Sequence, residues 1–184
     1  MKVKIGISNR HVHLTKEDYK ILFNKDELTL RNKLSQIGEF AANETVTLKT
    51  NKNQIENVRI IGPFRPYTQV ELARTDAIRL GLNPPIRDSG ELEDAEVITI
   101  AVGDKEITRK ACILAERHIH ITPEQKKKYR LKDKVKVKIG GEKGAILYNV
   151  HVKASDLYTY ELHLDTDDAN GNLANSGDYA EIIK

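Results

Sequence analysis

Residues 10–17 read Arg10-His11-Val12-His13-Leu14-Thr15-Lys16-Glu17, and residues 117–124 read Arg117-His118-Ile119-His120-Ile121-Thr122-Pro123-Glu124. Five of the eight positions are identical, and two more exchange one branched aliphatic side chain for another. In each copy an apolar segment with two histidines leads into a helix-start signal, a threonine followed three residues later by Asp18 or Gln125. The sequence therefore predicts a duplicated unit in which a short strand precedes a capped helix.

The repeat extends beyond the histidine motif. The seven-residue segments that begin at Glu71 and at His163 also align, and the alignment places Asp76 at the position of Asp168. Each half of the chain is therefore expected to supply two histidines and one further potential ligand, Glu71 in one half and His163 in the other.

Short segments that alternate apolar and polar residues occupy much of the remaining chain. Turn signals such as Gly103-Asp104 separate them, and one short helical pattern, Thr75–Leu80, ends at Gly81. Many short strands at close spacing favour small barrels or sandwiches. The predicted fold class is mainly β, with two small β-barrel domains related by internal duplication and with short helices. The predicted strands are Ile55–Ile61, Val97–Val102, Glu106–Ile113, Val135–Ile139, Ala145–Val152 and Tyr158–Leu164.

Composition and charge indicate an intracellular globular protein. The 184 residues are 39% hydrophobic, and no window approaches the ~18 uninterrupted apolar residues of a membrane span. Residues 1–8 alternate and are predicted to form a strand, which is expected to leave no room for a secretory signal. The net charge of +3 is spread along a chain without Trp, which disfavours nucleic-acid binding. The single cysteine, Cys112, excludes an internal disulfide and is interpreted as a small buried hydrophobe.

The paired histidines are candidate metal ligands. In a strand, residues i and i+2 point to the same face about 6–7 Å apart, so each His-x-His motif presents two imidazoles side by side. Neutral imidazole is a preferred zinc ligand, and a catalytic zinc typically takes three protein ligands. The predicted sets are His11, His13 and Glu71 for one zinc, and His118, His120 and His163 for the other.

A single His-x-His motif in a strand is more often a surface pair or a hydrogen-bonded pair than a metal site. Two copies in matching contexts, in a chain with only six histidines, argue against that interpretation. His151 lies outside the pattern and is interpreted as structural.

Arg65 is the candidate phosphate-binding residue. Pro63 and Pro66 flank it, restrict the backbone and hold the side chain in a rigid turn shortly before Glu71. A guanidinium fork matches the oxygens of phosphate and stays charged at any working pH. On these residues alone, an arginine with a purely structural role in the turn is the alternative.

Four parts of the sequence together resemble the PduL-type phosphate acyltransferases, also called phosphate propanoyltransferases. The matching parts run from one end of the chain to the other. They are Ile7–Leu14, Gly62–Pro66 with Gln69–Glu71, Arg117–His120, and Glu161–Asp167.

The resemblance implies two β-barrels with two Zn²⁺ per chain held between them, in an enzyme that interconverts acyl-CoA and phosphate with acyl phosphate and CoA. The first barrel would comprise residues 10–115, and the second residues 1–9 and 116–184, with the first strand exchanged. The two ligand sets above would each hold one zinc, and Arg65 would bind phosphate and act in catalysis. The residues implied to bind coenzyme A are Ile7, Ser8, Asn9, Lys52, Arg59 and Asn170.

The predicted substrates are propanoyl-CoA or acetyl-CoA together with phosphate, with direct transfer in a ternary complex. Neither nucleic acid nor membrane is expected as a partner, and assembly into a homo-oligomer is left open. Family members inside bacterial microcompartments often carry an N-terminal helical extension, and none is seen before the first predicted strand. The expected location is therefore cytoplasmic, and the microcompartment lumen is the alternative.

Two other functions fit the same residues. One is a dinuclear zinc hydrolase of thioesters or phosphate esters, and the other is a β-barrel nucleic-acid-binding module with structural histidines.

Overall fold

The computed structural model describes residues 1–183, which divide into two compact units. One unit, called the first barrel below, comprises residues 10–115. The other, called the second barrel, comprises residues 1–9 and the chain from Glu116 onward. Each unit closes a ring of six strands around its own apolar interior. The predicted fold class, mainly β with two small barrels and short helices, is confirmed.

Strand and helix numbers follow the order of the whole chain. The strands of the first barrel are β2 (His11–His13), β3 (Leu30–Lys33), β4 (Phe40–Lys49), β5 (Gln54–Gly62), β6 (Gln69–Leu72), β7 (Ile86–Arg87), β8 (Glu96–Val102) and β9 (Lys105–Ala115), and its helices are α1 (Lys16–Phe23) and α2 (Arg74–Leu80). The ring order is β4-β5-β2-β6-β9-β8, closed by pairing of β8 with β4, and β3 and β7 extend it at the sides.

The strands of the second barrel are β1 (Lys2–Ser8), β10 (His118–Ile121), β11 (Lys134–Ile139), β12 (Ile146–Ala154), β13 (Glu161–Asp165) and β14 (Tyr179–Ile183), and its helices are α3 (Pro123–Tyr129) and α4 (Thr166–Gly171). The ring order is β1-β13-β10-β12-β11-β14, closed by pairing of β14 with β1.

The two rings have the same strand order and the same pattern of parallel and antiparallel pairs. β1 and β9 each lie directly before a histidine strand in the sequence, β2 and β10 respectively. Yet β1 pairs in parallel with β13, and β9 pairs in parallel with β6. Each barrel therefore takes up the strand that precedes the other barrel's histidine motif.

Alternating side chains explain why these segments form barrel strands. In β11, Val135, Val137 and Ile139 are buried, while the lysines between them are exposed. β1 likewise buries Val3 and Ile5 and leaves Lys2 and Lys4 exposed. Complete burial of one such aliphatic side chain contributes roughly 1.5–3 kcal/mol, so the period-2 pattern fixes which face of each strand lines the interior.

The helix-start signals read from the sequence are confirmed. Thr15 accepts a hydrogen bond from the Asp18 backbone N–H, at 3.0 Å. Thr122 and Gln125 form a reciprocal capping box ahead of α3. Gly81 ends α2 in the left-handed conformation, at a φ of 71°.

The largest difference from a predicted strand boundary is three residues, at the start of β13. The strand predicted to begin at Tyr158 begins at Glu161, because residues 155–160 form a turn in which the Tyr158 N–H donates to the Ser155 carbonyl. β4 runs from Phe40 to Lys49, and its irregular register against β5 hides any simple alternation in the sequence. Among residues 1–183, no helix has both the length and the apolar character needed to span a membrane.

Cys112 lies in β9 and is completely buried in the interior of the first barrel, as predicted. Burial, and then the charge of Glu96, raises the pKa of its thiol to about 12. Because the thiolate is the reactive form, native protein treated with iodoacetamide near pH 8 is expected to remain unlabelled. Mass spectrometry should find complete labelling once the chain is unfolded in guanidinium chloride; equal labelling rates in the two states would contradict this placement.

A buried carboxylate ties α1 to β9 and to the segment before β6. Asp18 is 4% exposed and accepts two hydrogen bonds from the Arg109 guanidinium, at 2.5 and 3.1 Å. The Thr68 hydroxyl donates to the same carboxylate at 2.5 Å. This network holds the residue just before Gln69 and therefore the start of the strand that carries Glu71.

Asp18→Asn is expected to lower the free energy of unfolding by about 2 kcal/mol. This is less than the roughly 3–5 kcal/mol typical of a fully buried pair, because Arg109 is partly exposed. Urea denaturation of the two proteins measures the difference. Asp26→Asn is the matched control, since Asp26 and its partner Lys20 are both exposed. Equal losses in the two variants would mean that the Asp18 network does not stabilise the fold.

Candidate active site

β2 brings His11 and His13 together on one side of the first barrel. Val12 between them is fully buried in the interior, so the two imidazoles point away from it. β6 runs antiparallel beside β2 and places Glu71 directly opposite His11. The Glu71 carboxylate lies 3.5 Å from Nε2 of His11 and 4.0 Å from Nε2 of His13.

β10 repeats this arrangement in the second barrel. Ile119 is fully buried in the interior, and β13 places His163 directly opposite His118. The ring centroids lie 4.6 Å apart for His118 and His120, 5.0 Å for His118 and His163, and 4.5 Å for His120 and His163. Glu71 and His163 therefore hold equivalent register positions, as the sequence alignment predicted.

An ion pair on the flank of each group also repeats. Arg10 contacts Asp76 at 3.2 Å, and Arg117 contacts Asp168 at 3.0 Å. Each arginine directly precedes a histidine motif, and each aspartate lies in the helix after the third residue of the group. The two ion pairs anchor equivalent strands to equivalent helices.

One imidazole in each group, His13 and His118, is oriented by a contact between its Nδ1 and a backbone carbonyl. Nδ1 of His13 lies 3.0 Å from the Ile61 carbonyl oxygen, and Nδ1 of His118 lies 2.7 Å from that of Glu116. Since a carbonyl oxygen can only accept, each Nδ1 carries the hydrogen and each Nε2 keeps its lone pair. Burial, and then His11, lowers the pKa of His13 to about 3. Burial, and then Lys153 and the other two imidazoles, lowers the pKa of His118 well below its usual value.

Both groups have the donor chemistry that zinc prefers. The ligand atoms of His11, His13 and Glu71 all lie within 4.8 Å of one another, and the same holds for the three histidines of the second barrel. Zinc takes neutral imidazole and carboxylate ligands at about 2.0–2.2 Å, and a set of three leaves a coordination position open. Each barrel therefore has a three-residue set that fits one zinc ion.

Arg65 lies in the first barrel between β5 and β6, where its backbone N–H donates to the Leu14 carbonyl. Its guanidinium contacts Glu39 at 2.6 Å and is 26% exposed. The Arg65 charge contributes to the lowered pKa of His13. The guanidinium thus lies within electrostatic reach of the histidine group while remaining open to solvent.

Comparison with known proteins identifies the family. A sequence model of the phosphate propanoyltransferase family matches residues 4–175. The chain is 44% identical to a phosphate propanoyltransferase of Thermotoga maritima, over 98% of this chain and 88% of that protein. It is 43% identical to one of Priestia megaterium, over 96% and 83%, and 41% identical to one of Lachnoclostridium phytofermentans, over 98% and 87%. The chain belongs to the phosphate propanoyltransferase family.

The residues predicted to bind coenzyme A fall into two sets, one in each barrel. Ile7 and Ser8 end β1, beside the strand that carries His163, and Asn9 directly follows β1. Asn170 lies in α4, the helix that follows β13. Ile7 packs against the apolar interior, and its backbone N–H donates to the Ser176 hydroxyl at 3.2 Å.

Lys52 and Arg59 belong to the first barrel. Lys52 is exposed in the turn between β4 and β5, and its aliphatic part packs over Gly81. Arg59 lies directly opposite His11 in register and donates to the carbonyls of Ala42 and Asn43, at 3.1 and 2.7 Å. Arg59 therefore also bridges the irregular part of β4.

In this member of the phosphate propanoyltransferase family, three polar residues that contact the two histidine groups were not among the predicted site residues: Gln69, Glu161 and Tyr158. Gln69 and Glu161 lie two residues before Glu71 and His163, and extending the repeat alignment backwards by two positions would have matched them. Tyr158 stacks on the His120 ring at a centroid distance of 3.8 Å and an interplanar angle of 12°. Tyr158 lies in the turn before β13, where no sequence pattern signals the contact.

Proposed function

We propose that this protein is a phosphate acyltransferase that converts short-chain acyl-CoA and phosphate into acyl phosphate and CoA, and the reverse. The substrates proposed are propanoyl-CoA or acetyl-CoA. The observation that carries the proposal is the repeated three-residue group, in register in both barrels, within a chain of the phosphate propanoyltransferase family.

The proposed zinc ligands are the two groups described above, with one ion in each. Bound zinc would act as a Lewis acid that polarises the thioester carbonyl and would favour the thiolate form of the departing CoA. Support comes from the lowered pKa values of His13 and His118, since neutral imidazole is the form that binds zinc.

The reaction requires a phosphate oxygen to attack the thioester carbon as the C–S bond breaks. The proton of hydrogen phosphate passes to the CoA sulfur, so acyl-CoA and hydrogen phosphate balance acyl phosphate and CoA. Arg65 is proposed to bind phosphate through its guanidinium fork and to orient the attacking oxygen. Its partial exposure and its electrostatic effect on His13 support this role.

Direct transfer in a ternary complex is proposed rather than an acyl-enzyme. The one cysteine is buried in the interior with a pKa of about 12, so it is unsuited to attack a thioester. Ping-pong kinetics together with a trapped acyl-protein would contradict direct transfer.

The experiment is an assay of CoA release from acetyl-CoA and propanoyl-CoA, with and without phosphate and with and without a chelator. CoA release is expected only with phosphate, with acyl phosphate formed in equal amount, and a chelator should abolish it until zinc is restored. Release of CoA without phosphate would indicate a hydrolase, in which water takes the place of phosphate. Unchanged activity in protein shown to be free of metal would contradict the zinc sites.

A further inference from the structure

Each barrel buries one polar side chain beside the third residue of its histidine group. Gln69 is 0% exposed and lies opposite His13 in register, two residues before Glu71. Glu161 is 6% exposed and lies opposite His120, two residues before His163. Because i and i+2 share a face of a strand, each buried residue lies next to the third ligand proposed above.

Gln69 is held in one orientation by its contacts. Its side-chain oxygen accepts from the Gly90 backbone N–H at 2.8 Å, which directs its amino group the other way. That amino group donates to the Glu71 carboxylate at 2.5 Å and to the Ser89 hydroxyl at 2.8 Å. Gln69 therefore donates a hydrogen bond to Glu71. This suits an ionised carboxylate, which can only accept hydrogen bonds.

Glu161 offers the opposite kind of partner. Its carboxylate oxygen lies 3.2 Å from Nε2 of His163. An ionised carboxylate only accepts, so this contact favours the tautomer in which Nε2 carries the hydrogen and Nδ1 keeps the lone pair. Gly6, the register partner of His163, provides the space for the Glu161 side chain. Any residue with a Cβ at this position would place that atom 2.8 Å from the Glu161 carboxyl carbon.

We infer that Gln69 and Glu161 are equivalent positioning residues, each of which orients the third zinc ligand of its own barrel with the hydrogen-bonding group that this ligand requires. The positioning residue and the ligand both differ between the repeats. In the first barrel, Gln69 is a hydrogen-bond donor beside the Glu71 carboxylate, and in the second barrel, Glu161 is an acceptor beside the His163 imidazole. The inference rests on the proposed zinc sites. Loss of such a partner typically lowers metal affinity roughly 10- to 100-fold.

The variants Gln69→Glu and Glu161→Gln test the inference with almost no change of shape. Gln69→Glu places a second carboxylate against Glu71, and Glu161→Gln replaces a charged acceptor by a neutral amide. Gln54→Glu is the matched control in the first barrel, since Gln54 donates to Glu56 at 2.8 Å in the same i, i+2 arrangement and both side chains are exposed. Glu181→Gln is the control in the second barrel, where Glu181 is exposed.

The primary measurement is zinc content after dialysis against a graded series of chelator concentrations. Each test variant is expected to lose one of its two zinc ions at a chelator concentration roughly 10- to 100-fold lower than the wild type requires, while both controls match the wild type. The visible absorption of Co²⁺-substituted protein should change in Glu161→Gln and stay unchanged in Glu181→Gln, and thermal unfolding checks that all variants are folded.

The outcomes separate the two proposals. Wild-type protein that holds no zinc would overturn the proposed function. Wild-type protein that holds two zinc ions, with test variants that retain them as firmly and with unaltered Co²⁺ spectra, would overturn the positioning role alone.

Discussion

His163→Ala is expected to leave the protein with one zinc ion instead of two and to lower phosphate-dependent CoA release by about 10³-fold or more. His163 supplies one of only three proposed ligands in the second barrel, and two remaining imidazoles hold zinc poorly. Lewis-acid stabilisation of a transition state contributes several kcal/mol, and each ~1.4 kcal/mol corresponds to a tenfold change in rate. Zinc content and initial rates with saturating phosphate measure the two effects.

The control for this prediction is His151→Ala. His151 lies opposite His118 on the neighbouring strand β12 but outside the three-histidine group, so the variant removes an imidazole from the same barrel. It is expected to retain both zinc ions. If His163→Ala keeps two zinc ions and normal activity, or if both variants lose zinc alike, the ligand set proposed for the second barrel is wrong.

The proposed ligands could be found in the sequence because the information is local and occurs twice. A His-x-His motif in a strand places two imidazoles on the same face within three residues. Because the motif occurs twice in matching contexts, a chance occurrence is a poor explanation. The register of β6 and β13 then places Glu71 and His163 where the alignment put them. The pattern of alternating residues similarly predicted most strands and the fold class.

Contacts between distant parts of the chain could not be read in this way. Asp18 and Arg109 are separated by 91 residues, and neither has a neighbouring motif that marks the other as its partner.

The Glu161–His163 contact is local, and a longer repeat alignment would have predicted that the two residues are neighbours. Which atoms donate and which accept was not predictable without the side-chain geometry. A buried glutamine and a buried glutamate at equivalent positions look like an ordinary substitution until the partner of each is known.

Arg65→Ala is expected to raise the apparent KM for phosphate by about 10²-fold, with a much smaller change in the KM for acyl-CoA. Hydrogen bonds to charged groups contribute about 1.5–3 kcal/mol each, and a guanidinium fork offers two to a phosphate. Initial rates over a matrix of phosphate and acyl-CoA concentrations measure both constants.

Glu39 provides the control, since it is the ion-pair partner of Arg65 in the structure. Glu39→Ala breaks the same pair but leaves the guanidinium in place, so its KM for phosphate should stay close to the wild-type value or fall. Arg65→Lys should lie between the wild type and Arg65→Ala, because lysine keeps the charge but not the planar fork. If Glu39→Ala and Arg65→Ala raise the KM for phosphate equally, the ion pair serves only to shape the turn between β5 and β6, and phosphate must be bound elsewhere.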